Sequence, residues 1–151
     1  MKFLIQVVQN ASVKVDEKTI GAIDRGLLVF VGVSDEDTKD TADKMIKKCV
    51  NLRIFEDENG KTNLSINDVG GSMLVISQFT LYADCRKGNR PAFVKAGAPD
   101  HAKALYEYII DELRTNYQIH TENGEFGADM KVSLLNDGPF TVMLDSKELF
   151  G

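Results

Sequence analysis

The sequence predicts an α+β fold with a largely antiparallel sheet that can curl into a barrel. Two observations lead to this prediction: strand-like apolar runs are numerous, and only two well-separated segments have helical periodicity. The chain has 151 residues, of which 43% are hydrophobic, and this amount suits one core rather than a disordered chain. We therefore expect a single domain that spans residues 1–151.

The first part of the chain reads as three consecutive strands. Residues from Met1 to Asp16 alternate or are apolar throughout, which predicts a long strand. A turn at Asp16-Glu17-Lys18 separates it from a short strand, Thr19 to Asp24. The next strand, Gly26 to Val33, is nearly all apolar, and we expect it to be buried.

Two segments have the spacing of amphipathic helices. Asp35 to Leu52 is the first, with Asp37 or Thr38 as its cap. The second begins at Pro99, because proline suits the first turn of a helix. The apolar positions are Ala42, Met45, Ile46, Cys49 and Val50 in the first helix, and Ala102, Leu105, Tyr106, Ile109, Ile110 and Leu113 in the second.

The remaining strands complete the predicted sheet. Arg53 to Glu56 is a short strand, followed by a turn signal at Glu58-Asn59-Gly60. Met73 to Leu81 is the strongest strand pattern in the chain. Lys131 to Leu135 and Phe140 to Leu144 are predicted as two strands that flank a Gly-Pro step.

Composition excludes several classes of protein. No apolar run approaches the ~20 residues that a membrane span needs, and the N-terminus lacks a signal-peptide pattern, so we expect a cytoplasmic protein. Cys49 and Cys85 fit no zinc spacing, and the chain has only two histidines. We expect reduced thiols, no bound metal and no cofactor.

The net charge of −5 is unusual for a strong nucleic-acid binder, which is typically basic. Any contact with phosphates therefore requires a local basic patch. The candidates form one cluster after the strongest strand: Arg86, Lys87, Arg90 and Lys95. Without further context, such a cluster is as often only a solvated face.

Two short segments depart from the appearance of ordinary core strands: Ser77-Gln78-Phe79-Thr80 and Asn136-Asp137-Gly138-Pro139. A hydroxyl nucleophile at Thr80 needs a base, and nothing in the sequence places His101 or His120 beside it. Main-chain N–H groups of Phe79 and Thr80 are the better candidates for stabilising a developing negative charge. A Gly-Pro step can hold two carbonyl oxygens at a defined angle toward a ligand.

These segments, in their order and spacing, resemble the D-aminoacyl-tRNA deacylases, dimeric enzymes that hydrolyse D-amino acids from tRNA. The resemblance runs nearly end to end and is carried by these residues: Ala11-Ser12-Val13, Gly26-Leu27-Leu28-Val29, Asn51-Leu52-Arg53-Ile54-Phe55, Ser77 to Leu81, Lys87-Gly88-Asn89-Arg90-Pro91, Phe126-Gly127-Ala128-Asp129-Met130 and Asn136 to Thr141. It implies a β-barrel-like core with flanking helices, a homodimer, and aminoacyl-tRNA as the partner.

The resemblance also implies roles for individual residues. The catalytic segment is Ser77, Gln78, Phe79 and Thr80, with catalysis assisted by the substrate's 2′-hydroxyl. The residues expected to bind substrate and reject L-amino acids are Gly138 and Pro139, in a cis bond that serves the partner's pocket, together with Asn136, Phe126 and Met130. Phe126 and Met130 are expected near the terminal adenosine. Glycine has no side chain to exclude, so glycyl-tRNA mischarged on tRNA-Ala is an expected second substrate.

One position departs from the family pattern. The family commonly has an arginine after the glutamine of its first strand, where it helps to hold the Gly-Pro loop, whereas here Gln6 is followed by Val7. Two other functions stay open at this point. One is a non-catalytic module that binds aminoacyl-RNA ends, and the other is an esterase with Thr80 as nucleophile.

Overall fold

The longest strand of the first half, β1 (Lys2–Val15), organises the fold because it pairs with three other strands. The computed structural model describes residues 1–151. Tight turns connect β1 to β2 (Lys18–Ile23) and β2 to β3 (Gly26–Gly32), and both pair with β1 in antiparallel register. The predicted first three strands are thus confirmed.

The sheet is mixed: the three pairings of β1 are antiparallel, as predicted, whereas the second half of the sheet pairs in parallel, which the prediction did not include. The short hairpin β4 (Phe55–Glu56) and β5 (Thr62–Leu64) precedes β6 (Ser72–Ser77), which pairs in parallel with β3. β7 (Thr121–Asn123) pairs in parallel with β6. The physical reason is that a helix lies in each connection and returns the chain to the starting edge of the sheet.

The mixed sheet nearly closes into a barrel. Its order is β2-β1-β3-β6-β7, and its two ends approach each other. A Cβ added to Gly21 of β2 would lie 3.0 Å from the carbonyl oxygen of Asn123 in β7. The small residue at this position permits the approach, and the barrel-like prediction is confirmed in this form.

The two predicted helices form as α1 (Lys39–Asn51) and α2 (Pro99–Thr115), each burying the predicted apolar face. α1 begins later than predicted because Thr38 caps it: the Thr38 hydroxyl accepts from the N–H of Thr41, and the Thr41 hydroxyl accepts from the N–H of Thr38. Both helices pack against the main core cluster. None of the helices combines the length and apolar character that crossing a membrane would require.

Two strand predictions need correction near the candidate site. The predicted strand Met73 to Leu81 stops at Ser77, and Phe79–Tyr82 forms a single 3-10 turn. The two predicted last strands are one strand, β8 (Lys131–Asp145), which pairs antiparallel with β1 and has irregular register opposite Val7. A short helix that the sequence pattern did not predict, α3 (Ser146–Phe150), ends the chain.

Candidate functional site

The backbone leaves the sheet at the end of β6 and presents two free N–H groups. Ser77 pairs with Val31 of β3, and the N–H of Gln78 donates to the carbonyl of Val31 at 2.8 Å. The first hydrogen bond of the 3-10 turn is donated by Leu81, to the carbonyl of Gln78 at 3.3 Å. The N–H groups of Phe79 and Thr80 therefore have no acceptor within the turn, as at any helix start.

Ser77, Gln78 and Phe79, but not Thr80, line a largely apolar cavity of about 380 Å³. Its walls come from the ends of β3 and β6, the start of α2 and the segment after β7. The lining residues are Val31, Val33, Ser77, Gln78, Phe79, Phe93, Ala96, Gly97, Pro99, Ala102, Tyr106, Phe126 and Gly127. The site thus brings the predicted Phe126 together with the predicted Ser77-Gln78-Phe79 segment.

A second cavity of about 230 Å³ adjoins the first, since Ser77, Gln78, Phe79 and Gly127 line both. The predicted Met130 lies here. Its sulfur packs against Gly124 so closely that an added Cβ at Gly124 would meet it at 2.4 Å. Glycine at position 124 thus leaves room for the Met130 sulfur beside the turn.

The cavities hold no nucleophile paired with a base. The Thr80 side chain is exposed, and its hydroxyl accepts from the amide of Gln78, which is not a base. Neither histidine lines either cavity. The one carboxylate present, Asp129 in the second cavity, accepts from Lys131 at 3.0 Å through both oxygens. Side chains thus offer little for general-base chemistry at Thr80.

Tyr106 supports the aromatic wall of the first cavity. Its ring lies 6.0 Å from the ring of Phe126, and its hydroxyl donates to the carbonyl of Val75 at 2.8 Å. Burial raises the pKa of Tyr106 to about 12, so the phenol stays neutral near pH 7. The ring contact and this hydrogen bond fix Tyr106 as part of the cavity wall.

The Gly-Pro segment is a bulge within β8 opposite Val7, called the Gly-Pro turn below, and Asn136 holds it against β1. The Gly138-Pro139 peptide bond is cis, and Gly138 has a φ of +135° that L side chains rarely adopt. Asn136 Nδ2 donates to the carbonyls of Val7 at 2.9 Å and Phe140 at 3.0 Å. Its side chain is committed to the turn, so Asn136 positions Gly138-Pro139 rather than facing a ligand in this chain.

One chain does not bring the two predicted segments together. Gly138 and Pro139 are exposed and line neither cavity that contains Ser77. The register places the Gly-Pro turn beside Val7, which is level with Met73 through Leu27. Ser77 lies four residues further, roughly 13 Å along the strand, and three strand spacings away, roughly 14 Å across the sheet.

The predicted basic cluster lies in the segment after the 3-10 turn and is only partly free. Arg86 pairs with Asp84 at 2.7 Å, and its guanidinium holds the pKa of that carboxyl well below its usual range. Lys87, Arg90 and Lys95 are exposed and form no ion pair. Three of the four predicted cations are therefore available to an anionic ligand.

The sequence prediction did not include Phe93, which packs edge-on against Phe79 with 5.1 Å between the ring centroids. Phe93 is 36% exposed and its neighbour Val94 is 85% exposed. In the sequence, the feature that indicates a special role for Phe93 is that Phe93 and Val94 are apolar within a polar segment that contains glycine and lysine. The contact itself depends on the fold, because the two phenylalanines are on either side of a loop.

Comparisons with known proteins agree over almost the whole chain. A family model described as D-Tyr-tRNA(Tyr) deacylase matches residues 4–145. A D-aminoacyl-tRNA deacylase of Thermosipho africanus is 53% identical over 150 residues, covering 99% of this chain and all of the relative. One from Bacillus pumilus is 55% identical over 148 residues, covering 98% of this chain and all of the relative.

Two solved structures share the fold. A c-Myc DNA unwinding element binding protein aligns with a TM-score of 0.90 and 41% identity, covering 96% of this chain and 98% of the other. A probable eukaryotic D-amino acid tRNA deacylase aligns with a TM-score of 0.85, covering 95% and 97%. At 17% identity, the second structure supports the fold alone.

Proposed function

Because the chain belongs to the D-Tyr-tRNA(Tyr) deacylase family of hydrolases, we propose that it hydrolyses the ester bond of D-aminoacyl-tRNA and releases free D-amino acid and tRNA. The observation that carries the proposal is the 3-10 turn at the cavity edge. Its Phe79 and Thr80 N–H groups are free within the turn, and no nucleophile–base pair lies beside them. Family membership agrees with the resemblance expected from the sequence.

Main-chain groups supply the electrostatic part of the reaction in this proposal. As water attacks the ester carbon, negative charge develops on the carbonyl oxygen. The N–H groups of Phe79 and Thr80 donate to that oxygen, and they are fixed in advance by the bonds of Gln78 and Leu81. One such donor is typically worth ~10²–10³ in rate.

The substrate supplies the group that orients water. An aminoacyl ester on a terminal ribose has a vicinal 2′-hydroxyl within hydrogen-bond reach of the reacting carbon. This role for the RNA explains why neither cavity needs a histidine. The terminal adenosine fits the first cavity, where the ring of Phe126 offers an aromatic face for the base, and Met130 lies beside the turn in the adjoining cavity.

Chirality is read at Cα rather than through the side chain. With the amino and ester groups held fixed, exchanging enantiomers swaps the hydrogen and the side chain at Cα. A wall of backbone carbonyls where the hydrogen sits rejects every L-residue and also accepts hydrogen bonds from the ammonium. We assign this wall to Gly138-Pro139. Glycine meets no such exclusion, so glycyl-tRNA mischarged on tRNA-Ala is a further proposed substrate.

In this proposal, a second copy of the chain supplies the wall. The Gly-Pro turn and the Ser77 turn are well separated within one chain, and Gly138-Pro139 is exposed. β8 pairs with β1 only, and it exposes 51% of Leu135 and 46% of Met143. An open edge with exposed apolar side chains is typical of an association surface. These features support a homodimer in which each Gly-Pro turn completes the partner's site.

A paired deacylation assay tests the proposal. The enzyme, at catalytic concentration, is incubated with D-Tyr-tRNA and L-Tyr-tRNA, and loss of each ester is measured. We expect multiple turnovers on the D-ester and little action on the L-ester. Equal rates on both would contradict the chiral wall. Loss of neither, with stoichiometric protection of the ester, would favour a non-catalytic module that binds aminoacyl-RNA ends, which the acidic net charge of −5 does not exclude.

The rival mechanism with Thr80 as nucleophile has its own test. We expect Thr80→Ala to lower kcat by less than about tenfold, because the main-chain N–H remains in place. A loss of ~10⁴ or more is what removal of a nucleophile produces. Thr80→Ser serves as the matched control, since a nucleophilic role would be rescued by serine while the main-chain mechanism predicts similar rates for all three proteins.

A further inference from the structure

The rim of the first cavity carries a pair of aromatic rings that the proposed ester chemistry does not use. The pair consists of Phe79 and Phe93, whose rings meet edge to face at 5.1 Å. Phe79 is 58% exposed and Phe93 is 36% exposed. Large aromatic side chains left this accessible at a cavity mouth are unusual for core packing, and each retains a face that a ligand can cover.

A cationic hairpin stands beside the aromatic pair. Residues 84–92 close through two backbone hydrogen bonds between Asp84 and Ala92, at 2.7 and 2.9 Å. Within the hairpin, Lys87 and Arg90 are exposed and form no ion pair. Phe93 directly follows the hairpin, so the closing bridge fixes where the cations lie relative to the aromatic pair.

We propose that the aromatic pair stacks the base of the nucleotide that precedes the terminal adenosine, while Lys87 and Arg90 contact the flanking phosphates. The proposal rests on the proposed function, and it extends the recognised substrate from an aminoacyl-adenosine to a single-stranded RNA end of two or more nucleotides. Aromatic faces beside a positively charged groove are the usual way in which proteins hold single-stranded nucleic acid without reading its sequence.

Charge complementarity is the reason for choosing RNA as the occupant. The chain as a whole is acidic, with a net charge of −5, yet no acidic residue lies between Cys85 and Pro99. Asp84, at the base of the hairpin, is already neutralised by Arg86 at 2.7 Å. A strand that leaves the cavity past Phe93 thus meets positive charge on a surface that elsewhere repels phosphates.

The test compares two substrates that differ only beyond the terminal adenosine. D-Tyr-tRNA contains the preceding nucleotide, whereas the 3′-D-tyrosyl ester of adenosine does not. We expect Phe93→Ala to lower kcat/KM for D-Tyr-tRNA about 5- to 150-fold, the value of one base–aromatic stack, and to lower it much less for the adenosine ester. The loss should appear mainly as a higher KM. Phe93→Tyr keeps an aromatic ring and should have a KM close to that of the parent protein.

The control is Val94→Ala, which removes an exposed apolar side chain next to Phe93 and should change neither substrate. Equal losses on both substrates for Phe93→Ala would overturn the proposal, because Phe93 would then serve only the adenosine cavity. A shift of Phe93→Ala toward monomer in analytical ultracentrifugation would also overturn it, since the aromatic pair would then be covered by a second chain. If the parent protein hydrolyses neither substrate, the proposed function fails instead.

Discussion

The two turns that carry the candidate site differ in how much of their surroundings one chain supplies. The Ser77–Thr80 turn lies at the end of a buried strand, and two cavities open beside it. The Gly138-Pro139 turn is held firmly by Asn136 but faces solvent. A turn that is held in place and yet exposed suits recognition by another molecule. We therefore infer that another molecule completes the Gly138-Pro139 half of the proposed site.

The largest expected effect comes from mixing two variants, each of which has one of the two turns disabled. Gly138→Ala disturbs one turn, because an added Cβ would lie 2.9 Å from the N–H nitrogen of Phe140. Phe79→Pro disables the other. Each variant alone should lose most activity on D-Tyr-tRNA, whereas an equimolar, re-equilibrated mixture should regain about a quarter of the parental rate, since half of the dimers then hold one intact composite site.

Recovery in the mixture requires that each Gly-Pro turn serves the partner's cavity. If both turns of a site came from the same chain, no heterodimer would contain an intact site, and the mixture would stay as inactive as its components. A sedimentation measurement on the same mixture confirms that exchange has occurred, so a negative result keeps its meaning. Full activity in a demonstrably monomeric sample would contradict the proposal that the Gly-Pro turn acts in the partner's cavity.

The second prediction concerns the N–H donor of Phe79. Phe79→Pro removes that donor at the first position of the 3-10 turn, a position at which helices commonly accept proline. Phe79→Ala, the matched control, also loses the ring but keeps the N–H. We expect kcat for Phe79→Pro to lie ~10²–10³ below that of Phe79→Ala. Similar rates for the two variants would remove the main-chain mechanism, and melting temperatures of both would show whether the fold is retained.

The third prediction concerns Asn136, whose side chain holds the Gly-Pro turn. Asn136→Ala deletes two hydrogen bonds to buried or partly buried carbonyls, which should lower the free energy of unfolding by about 1–3 kcal/mol. We expect discrimination between D-Tyr-tRNA and L-Tyr-tRNA to fall about tenfold, an energy of about 1.4 kcal/mol, because the carbonyl wall loosens. Asn89→Ala, an exposed asparagine in the cationic hairpin, serves as the control for stability.

If Asn136→Ala is destabilised but still discriminates between D-Tyr-tRNA and L-Tyr-tRNA, the Asn136 side chain stabilises the fold without positioning the Gly138-Pro139 carbonyls. That outcome bears on Val7, where the resemblance led us to expect an arginine. The Val7 side chain is only 6% exposed and packs into the main core, while its carbonyl accepts from Asn136. The backbone at this position thus holds the turn whatever the side chain is, and Asn136 provides the bond.

The sequence predicted the parts of the fold that depend on local periodicity. The apolar faces of α1 and α2 are those expected, because side-chain spacing along a helix is set within a few residues. Parallel pairing of β3 with β6 was missed, although both strands are nearly continuous apolar runs with a predicted helix between them, which is the pattern of a parallel pair. β7 spans only Thr121–Asn123, which is too short for any periodic signal.

In the candidate site, too, the sequence pattern did not predict the features that depend on the tertiary fold. The alternation of Phe79 and Leu81 continued the apolar pattern of β6, so the 3-10 turn resembled more strand. Ser77, Phe126 and Met130 were placed together through the family resemblance, not through spacing. The Phe79–Phe93 contact was missed because a hairpin closes between them, and a contact that depends on such a closure leaves no periodic trace in the sequence.

The smallest effect should come from removing a single cation of the hairpin, and it should appear in the salt dependence of kcat/KM. Lys87 is exposed and unpaired, so a phosphate contact there would release one counterion on binding. We expect Lys87→Ala to reduce the slope of log(kcat/KM) against log salt concentration by about 0.7, the value for one contact to a single strand. Lys47→Ala, on the exposed face of α1, should leave the slope unchanged. An unchanged slope for Lys87→Ala would place the RNA elsewhere, and it would leave the Ser77 turn, rather than its cationic neighbour, as the source of affinity.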